Sequence, residues 1–470
     1  SAAPCRLRAP YHRTRPPPLP RAAHRVCRMT PSVEPLGAKG LRDPSGALEP
    51  CDAAEEEPIR RHLGLPDRLV RPLVTSGTRA RRLAERLDRC ASPLEAVLLW
   101  ALRRCPAQVK HRLMMWGFRL LVALHGWLPR GLGRRGLSDA LSPEAHVLSV
   151  LLWGVRLLPL TLPRLRLGLS TLGWAYLPPP GLREERVELP ERGVRGLYLR
   201  AAPPSVEDAP VLLWFFGGAF FGGTVEDNRG LMARYAQALR CDVFLADYRV
   251  CPEHTIEDAF CDGCRAYEWL LTRRAPERIV LAGNSSGGGL ALRVLQLAAE
   301  AGRRSSAAGD GSGVRPAPFV CEGPVPQPAG AVLLGPFVNF TVGPGVDEGN
   351  SLVRHQPLDL VVTERVYEFV QPKLAAACGG EAGKRAASPL FHAVEGLCPI
   401  FVSFSAHEVC SDDNRQLVER LRQAGNEVES SQQPYLPHAF QALAAFLPEG
   451  KQEELRIIDW IRRRGGAWGA

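Results

Sequence analysis

The sequence predicts an α/β fold in which helices cover both faces of an eight-stranded, mostly parallel sheet. Three observations predict it. From residue 185 onward, short β-rich runs alternate with helical patterns, as strands joined by crossover helices do. Within that stretch IVLA, at 279–282, reads as the end of a buried strand. Finally, 45% hydrophobic and 23% charged residues supply ordinary globular material, enough for a large packed core.

The expected strands are ERVEL (185–189), VRGLYL (194–199), VLLWFF (211–216), DVFLADY (242–248), RIVLAG (278–283), AGAVLLG (329–335), IFVSFS (400–405) and VESSQQ (428–433). Helices are expected near 227–239, 257–272, 287–301, 363–376, 412–424 and 451–463. Segment 302–328 is a Gly, Ser and Pro insertion, expected to be flexible because loop length adds little closure entropy. The chain has 470 residues. One large unit over 185–470 with an accessory region before it accounts for that length as well as three domains would.

Residues 1–58 are rich in Pro, Arg and Ala without apolar periodicity, and are expected to be a disordered leader. Seven arginines and no acid fall in the first 33 residues. Such a leader is compatible with organelle targeting, or with an upstream segment outside the mature protein, since a methionine first occurs at Met29. Residues 59–184 carry apolar stretches interrupted by arginine, as in HRLMMWGFRLLVALHGWL. They read as amphipathic helices that cap the following domain, with contact to a membrane surface through 60–182 as the alternative. No charge-free apolar run reaches the 18 to 20 residues of a membrane span.

A net charge of +10 raises the question of nucleic acid. Much of the excess sits on the unpatterned leader, so no nucleic-acid partner is expected. The 13 cysteines are odd in number and scattered, which argues against a secreted disulfide framework and for the cytoplasm. Cys261 and Cys264 have redox-motif spacing but fall within a helical pattern, where they read as small helix residues.

The chemistry is concentrated at Gly283-Asn284-Ser285-Ser286-Gly287, a G-x-S-x-G sequence between an expected strand and an expected helix. This is the context of a nucleophile elbow, whose sharp turn lifts a serine hydroxyl off the sheet while small residues let strand and helix approach. Ser285 is then the nucleophile, and Ser286 offers its backbone N–H to an oxyanion. Phe216-Gly217-Gly218-Ala219 follows an earlier strand, where consecutive glycines allow backbone N–H groups of Gly217 and Gly218 to face developing negative charge. Asp247-Tyr248-Arg249-Val250-Cys251-Pro252-Glu253-His254 follows the next strand.

In that order and spacing, these three segments resemble the hormone-sensitive-lipase-like family of α/β-hydrolase esterases, with HGGG or HGGA, then DYRLAPEH, then GDSAGG. The resemblance covers roughly residues 185–465 and implies the α/β-hydrolase fold. It also implies that Asp247, Arg249 and Glu253 are framework residues. Two positions depart from the family pattern: Phe216 stands where the family has histidine, and Asn284 where it has aspartate.

A serine hydroxyl needs a neighbouring base, and the base needs a third group to orient it. In α/β hydrolases the chain order is Ser, acid, His. His438 in YLPHAF follows the last expected strand and matches the family's histidine segment. The acid is assigned to Glu408, after IFVSFS, with Asp412 and Asp413 as alternatives that a helix N-cap role would also explain.

The expected function is therefore a serine carboxylic-ester hydrolase acting on a small-molecule ester, with Phe220 and Phe221 suggesting an apolar substrate. It needs no cofactor and no metal. The family also contains hormone receptors in which the triad histidine is replaced. A ligand-binding protein without turnover is thus the alternative, although this chain retains a histidine. The oligomeric state is left open.

Overall fold

The computed structural model describes residues 105–125, 142–155, 160–200, 209–307, 319, 324–342, 349–355, 359, 361–464 and 468. The leader at 1–58 and residues 59–104 lie outside the described residues. The accessory region contributes three described helices, α1 (Ala107–His125), α2 (Pro143–Val155) and α3 (Leu162–Gly173). The sheet domain follows as β1 (Arg183–Leu189), β2 (Val194–Arg200), β3 (Val211–Phe215), α4 (Val225–Leu239), β4 (Asp242–Ala246), α5 (Ile256–Leu271), β5 (Ile279–Asn284), α6 (Ser286–Ala307) and β6 (Gly330–Leu334). It continues with α7 (Ser351–Arg354), α8 (Glu364–Ala377), α9 (Glu381–Ala387), β7 (Ile400–Ser405), α10 (Ser411–Gln423), β8 (Val428–Gln433) and α11 (Pro448–Arg462).

All eight expected strands form, in the order β1-β2-β4-β3-β5-β6-β7-β8. β1 and β2 pair antiparallel, as do β2 and β4, and every later neighbour pairs parallel. Every residue of β3, β4, β6 and β7 is buried. Helices on both faces bury such strands, which is why they read as unbroken apolar runs. Parallel register puts the carboxyl ends of β3, β5, β6, β7 and β8 on one edge. Phe215 pairs with Gly283 and Asn284 with Leu334 at that edge.

Helix starts follow local chemistry. The hydroxyls of Thr224 and Thr255 accept from the backbone of Asp227 and Asp258, and Asp258 answers Thr255 in a reciprocal capping box. The six expected helices form, with ends shifted by a few residues. α6 runs to Ala307, six residues into the segment expected to be flexible. Phe319 is buried and residues 324–328 lead directly into β6, so these parts of 302–328 are also built into the domain. The short helices α7 and α9 were not expected.

The accessory helices pack on the domain. Phe118 of α1 meets Phe446 edge-on at 5.0 Å, and the Tyr176 hydroxyl donates to the Ala442 carbonyl at 2.9 Å. Ser142, preceding α2, donates to the Glu449 carboxylate through its N–H and hydroxyl. Gly173 of α3 lies so close to Asp227 that a Cβ there would meet its backbone at 2.6 Å. Among the described residues no helix is long and apolar enough to cross a membrane. Cys261 and Cys264 both lie on α5 as free thiols, Cys264 fully buried and Cys261 partly.

Candidate active site

Ser285 sits between β5 and α6 with φ of 53°, a left-handed backbone that a serine adopts only when its surroundings enforce it. Enforcement comes from both sides. Its N–H donates to the Leu334 carbonyl at 2.8 Å, and its carbonyl accepts from Gly289 and Phe337. The flanking glycines are required by space, since a Cβ on Gly283 would lie 2.3 Å from the Gly287 carbonyl, and one on Gly287 would lie 2.1 Å from that of Phe215. The bend delivers the Ser285 hydroxyl to within 2.8 Å of His438 Nε2.

His438 follows β8 and is buried, as is Glu408 after β7. Its Nδ1 lies 3.5 Å from Glu408 Oε2, within ion-pair reach but longer than a good hydrogen bond. Catalytic contacts in ligand-free enzymes are often this loose. The carboxylate is fixed by the Ser405 N–H at 3.3 Å and the Asn414 amide at 3.2 Å. Gly335, with φ of 50°, leaves room beside it, for a Cβ there would stand 3.2 Å from Oε1.

Burial opposes the charged imidazolium of His438, but the Glu408 carboxylate and, behind it, Asp359 outweigh burial and raise the ring's pKa above the ordinary histidine value. Burial also raises Glu408, against the pull of His438 and with added repulsion from Asp359.

Asp359 was not singled out by sequence reasoning. It is 1% exposed and accepts backbone N–H groups from Val361, Val362, Val409 and His438. One buried carboxylate thus ties the loop after Glu408 to the loop that carries His438. Nothing in its local sequence marks it, because its partners are main-chain groups of distant segments. His355 lies beneath the same loop, donating from Nδ1 to the Glu408 carbonyl at 3.1 Å. Burial pushes its pKa down to about 4, so this ring is neutral.

The two alternative acids are engaged elsewhere. Asp412 pairs with Arg354 and Arg415 and accepts the Ser351 N–H, and Asp413 accepts from the Asn339 amide at 2.9 Å.

The glycine segment after β3 differs from expectation at one donor. The Gly217 N–H points to Asn284 Oδ1 at 2.8 Å, so it braces the segment against the elbow instead of facing open space. Asn284 is therefore a structural partner of this loop. Ser286 opens α6, and the first N–H groups of a helix have no acceptor within it. Phe216, where a histidine was the family pattern, is 1% exposed and stacks on Tyr248 at 4.2 Å and 17°. Tyr248 in turn donates its hydroxyl to the Phe216 carbonyl at 2.6 Å. An aromatic pair and a tyrosine hydrogen bond hold this position. Phe220 and Phe221 are fully buried, with the Phe220 ring packed edge-on against Tyr248, Phe260 and Phe340. They form a floor under the loop and offer no open apolar surface to a substrate.

The framework segment also has partners. Arg249 grips Asp262 through Nε and Nη2, each at 2.8 Å, and pairs with Asp258 at 2.7 Å. Glu253 pairs with Arg166 of α3, while Asp247 donates its N–H to the Arg195 carbonyl. Among the described residues no group of His, Cys, Asp and Glu is arranged to hold a metal ion.

A strained serine at a strand-to-helix bend, a buried imidazole against its hydroxyl and a buried carboxylate behind, all at the carboxyl edge of this sheet, define an α/β hydrolase. Residues 212–442 match the family described as the alpha/beta hydrolase fold. The chain is 28% identical over 251 residues to an acetyl-hydrolase of Streptomyces hygroscopicus, covering 53% of this chain and 74% of the relative. It is 27% identical over 335 residues to the carboxylesterase/phospholipase LipF of Mycobacterium tuberculosis, covering 70% and 81%. The fold superposes with a TM-score of 0.57 on the crystal structure of an esterase from the bacterial hormone-sensitive lipase family, at 28% identity over 69% of this chain and 99% of that one. The fold is that of the α/β hydrolases, and the chain is similar to esterases of the hormone-sensitive lipase family.

Proposed function

We propose that the protein is a serine carboxylic-ester hydrolase working through Ser285, His438 and Glu408. His438 Nε2 removes the Ser285 proton as Oγ bonds to the ester carbonyl carbon. The tetrahedral intermediate collapses, the C–O bond to the alcohol breaks, and the imidazolium returns its proton to the departing alcohol. Water, deprotonated by the same ring, then cleaves the acyl-serine and regenerates the hydroxyl. Glu408 orients the imidazole and stabilises its charged form. The N–H groups of Gly218 and Ser286 receive the oxyanion, Ser286 with the added field of the α6 N-terminus. Gly217 supports the loop.

The observation that carries this reading is the 2.8 Å approach of His438 Nε2 to Ser285 Oγ. It also favours turnover over the receptor-like alternative, which would have no use for a paired base. A fluorophosphonate probe tests the reading: it should label the wild type and fail to label Ser285→Ala. Tight ligand binding without labelling would favour the receptor.

For the accessory region we propose contact with an anionic lipid surface through α1. Leu113, Trp116, Leu120 and Leu124 form one exposed stripe, Trp116 67% exposed, beside Arg112 and Arg119 on a helix without acidic residues. Leu113→Ser with Trp116→Ser should reduce co-sedimentation with phosphatidylserine vesicles and leave turnover of a soluble ester unchanged; equal co-sedimentation would refute the contact.

A further inference from the structure

The loop that bears the proposed oxyanion donor is held from outside the sheet domain. Helix α3 directs Arg166 at it. Nε donates to the Phe221 carbonyl at 2.9 Å and Nη2 to the Cys251 carbonyl at 3.2 Å, while Nη1 and Nη2 engage both Glu253 oxygens at 2.9 and 2.7 Å. The loop is closed on itself at the same place, because Phe221 and Gly222 both donate to the Gly218 carbonyl. Cys251 N–H donates to the Phe220 carbonyl at 2.7 Å, which completes a ring of hydrogen bonds from Arg166 through Cys251 and Phe220 to Phe221. Leu169, one helical turn after Arg166, packs so tightly that a Cβ on Gly222 would come within 2.7 Å of it.

We infer that Arg166 is a positioning residue for the oxyanion hole, fixing the Gly218–Gly222 turn and the Cys251–Glu253 loop to α3 through one guanidinium. Fixing the Phe221 carbonyl fixes the turn that closes on Gly218, and with it the direction of the Gly218 N–H. The planar, forked guanidinium suits this task, since it reaches two carbonyls and a bidentate carboxylate at once, which an ammonium cannot. Stability is a poor explanation for the arrangement. The two side chains are 37% and 51% exposed, and exposed ion pairs add little to folding. Arg166 holds the Glu253 carboxyl below its usual pKa. The accessory helices would then complete the catalytic geometry as well as cover the domain.

The inference rests on the esterase reading for its catalytic consequence, and amide exchange of residues 217–222 tests it without that reading. In Arg166→Ala, exchange across 217–222 should accelerate at least about tenfold while the core strands stay protected. Turnover of a soluble p-nitrophenyl ester should fall about 10- to 100-fold in kcat with KM within about twofold, as expected when oxyanion donors lose alignment. Arg166→Lys should recover only part of the loss. Glu253→Gln, which leaves both carbonyl contacts, should be milder than Arg166→Ala. Unchanged exchange at 217–222 in Arg166→Ala would overturn the inference, as would a rise spread evenly over the whole domain. A wild type that turns over no ester would defeat the esterase reading and leave the exchange result to decide the role of Arg166.

Discussion

His438 Nε2 meets Ser285 Oγ at 2.8 Å across 153 residues of sequence, because β5 and β8 end on the same edge of the sheet. Ser285→Ala removes the hydroxyl proposed to attack and leaves the backbone amides in place. Ester turnover should drop by at least about 10⁴-fold, with only the residual catalysis that binding and oxyanion donors provide. The fold should survive, because an alanine at φ of 53° meets the same backbone strain as the serine it replaces. Circular dichroism and turnover measured on one preparation would separate the two effects.

The raised pKa of His438 sets the acid side of the pH profile. The ring acts as a base only when neutral, so kcat/KM should fall as pH drops through its folded pKa, with a midpoint above the ordinary histidine value of about 6.5. Part of the elevation comes from the Asp359 charge, while Glu408 and Ser285 also face the ring. Asp359→Asn removes one negative charge and should move the midpoint to lower pH. A purely structural role for Asp359 would lower kcat and leave the midpoint where it was.

Exchanging the candidate acids separates them. Glu408→Gln leaves a buried side chain that cannot stabilise the imidazolium, and kcat should fall about 10² to 10⁴-fold. Asp412→Asn loosens ion pairs with Arg354 and Arg415, both partly exposed, which are worth at most about 1 kcal/mol. Its kcat should stay within about threefold, with a slightly lower denaturation midpoint. Loss of turnover in Asp412→Asn alone would reverse the assignment.

How much of this was legible in the sequence depends on whether a residue acts through local pattern or through distant backbone. The strands could be read because β3 to β7 are buried on both faces and must be apolar, and the Ser285 bend because Gly283 and Gly287 are the only residues its close approaches admit. His438 and Glu408 could be placed by chain order. Asp359 could not, since its partners are N–H groups of Val409 and His438, and a main-chain partner leaves no mark on sequence. For the same reason the direction of the Gly217 N–H was not legible: it depends on the Asn284 side chain, 67 residues away. The extension of α6 to Ala307 was hidden by a Gly-, Arg- and Ser-rich composition that reads as loop. α7, at four residues, is too short to show a helical period.

The bond between Asn284 and Gly217 makes a prediction of its own. Asn284→Asp keeps an oxygen at the position that accepts the Gly217 N–H, so kcat should remain within about threefold. Asn284→Ala leaves that buried N–H without a partner, at about 1 to 3 kcal/mol, and frees the segment to shift. Turnover should fall about 10- to 100-fold, as misplacement of donors by about 1 Å does. Equal activity in the two variants would remove Asn284 from the account of the loop.

Phe216 is the position where restoring the family residue should do harm. Its ring is buried, lies flat on Tyr248 at 4.2 Å, and comes so near Gly223 that a Cβ there would stand 2.6 Å from it. Tyr248 already spends its hydroxyl on the Phe216 carbonyl. An imidazole in this slot would bring two ring nitrogens into a site shaped by apolar carbon and would lose part of the stacking. Burying a polar group without a partner costs about 1 to 3 kcal/mol. Phe216→His should therefore lower the urea midpoint and leave kcat unimproved, while Phe216→Tyr, which keeps the ring face, should lie closer to wild type. A histidine variant that is both as stable as wild type and faster would mean that the aromatic stack is not what this position needs.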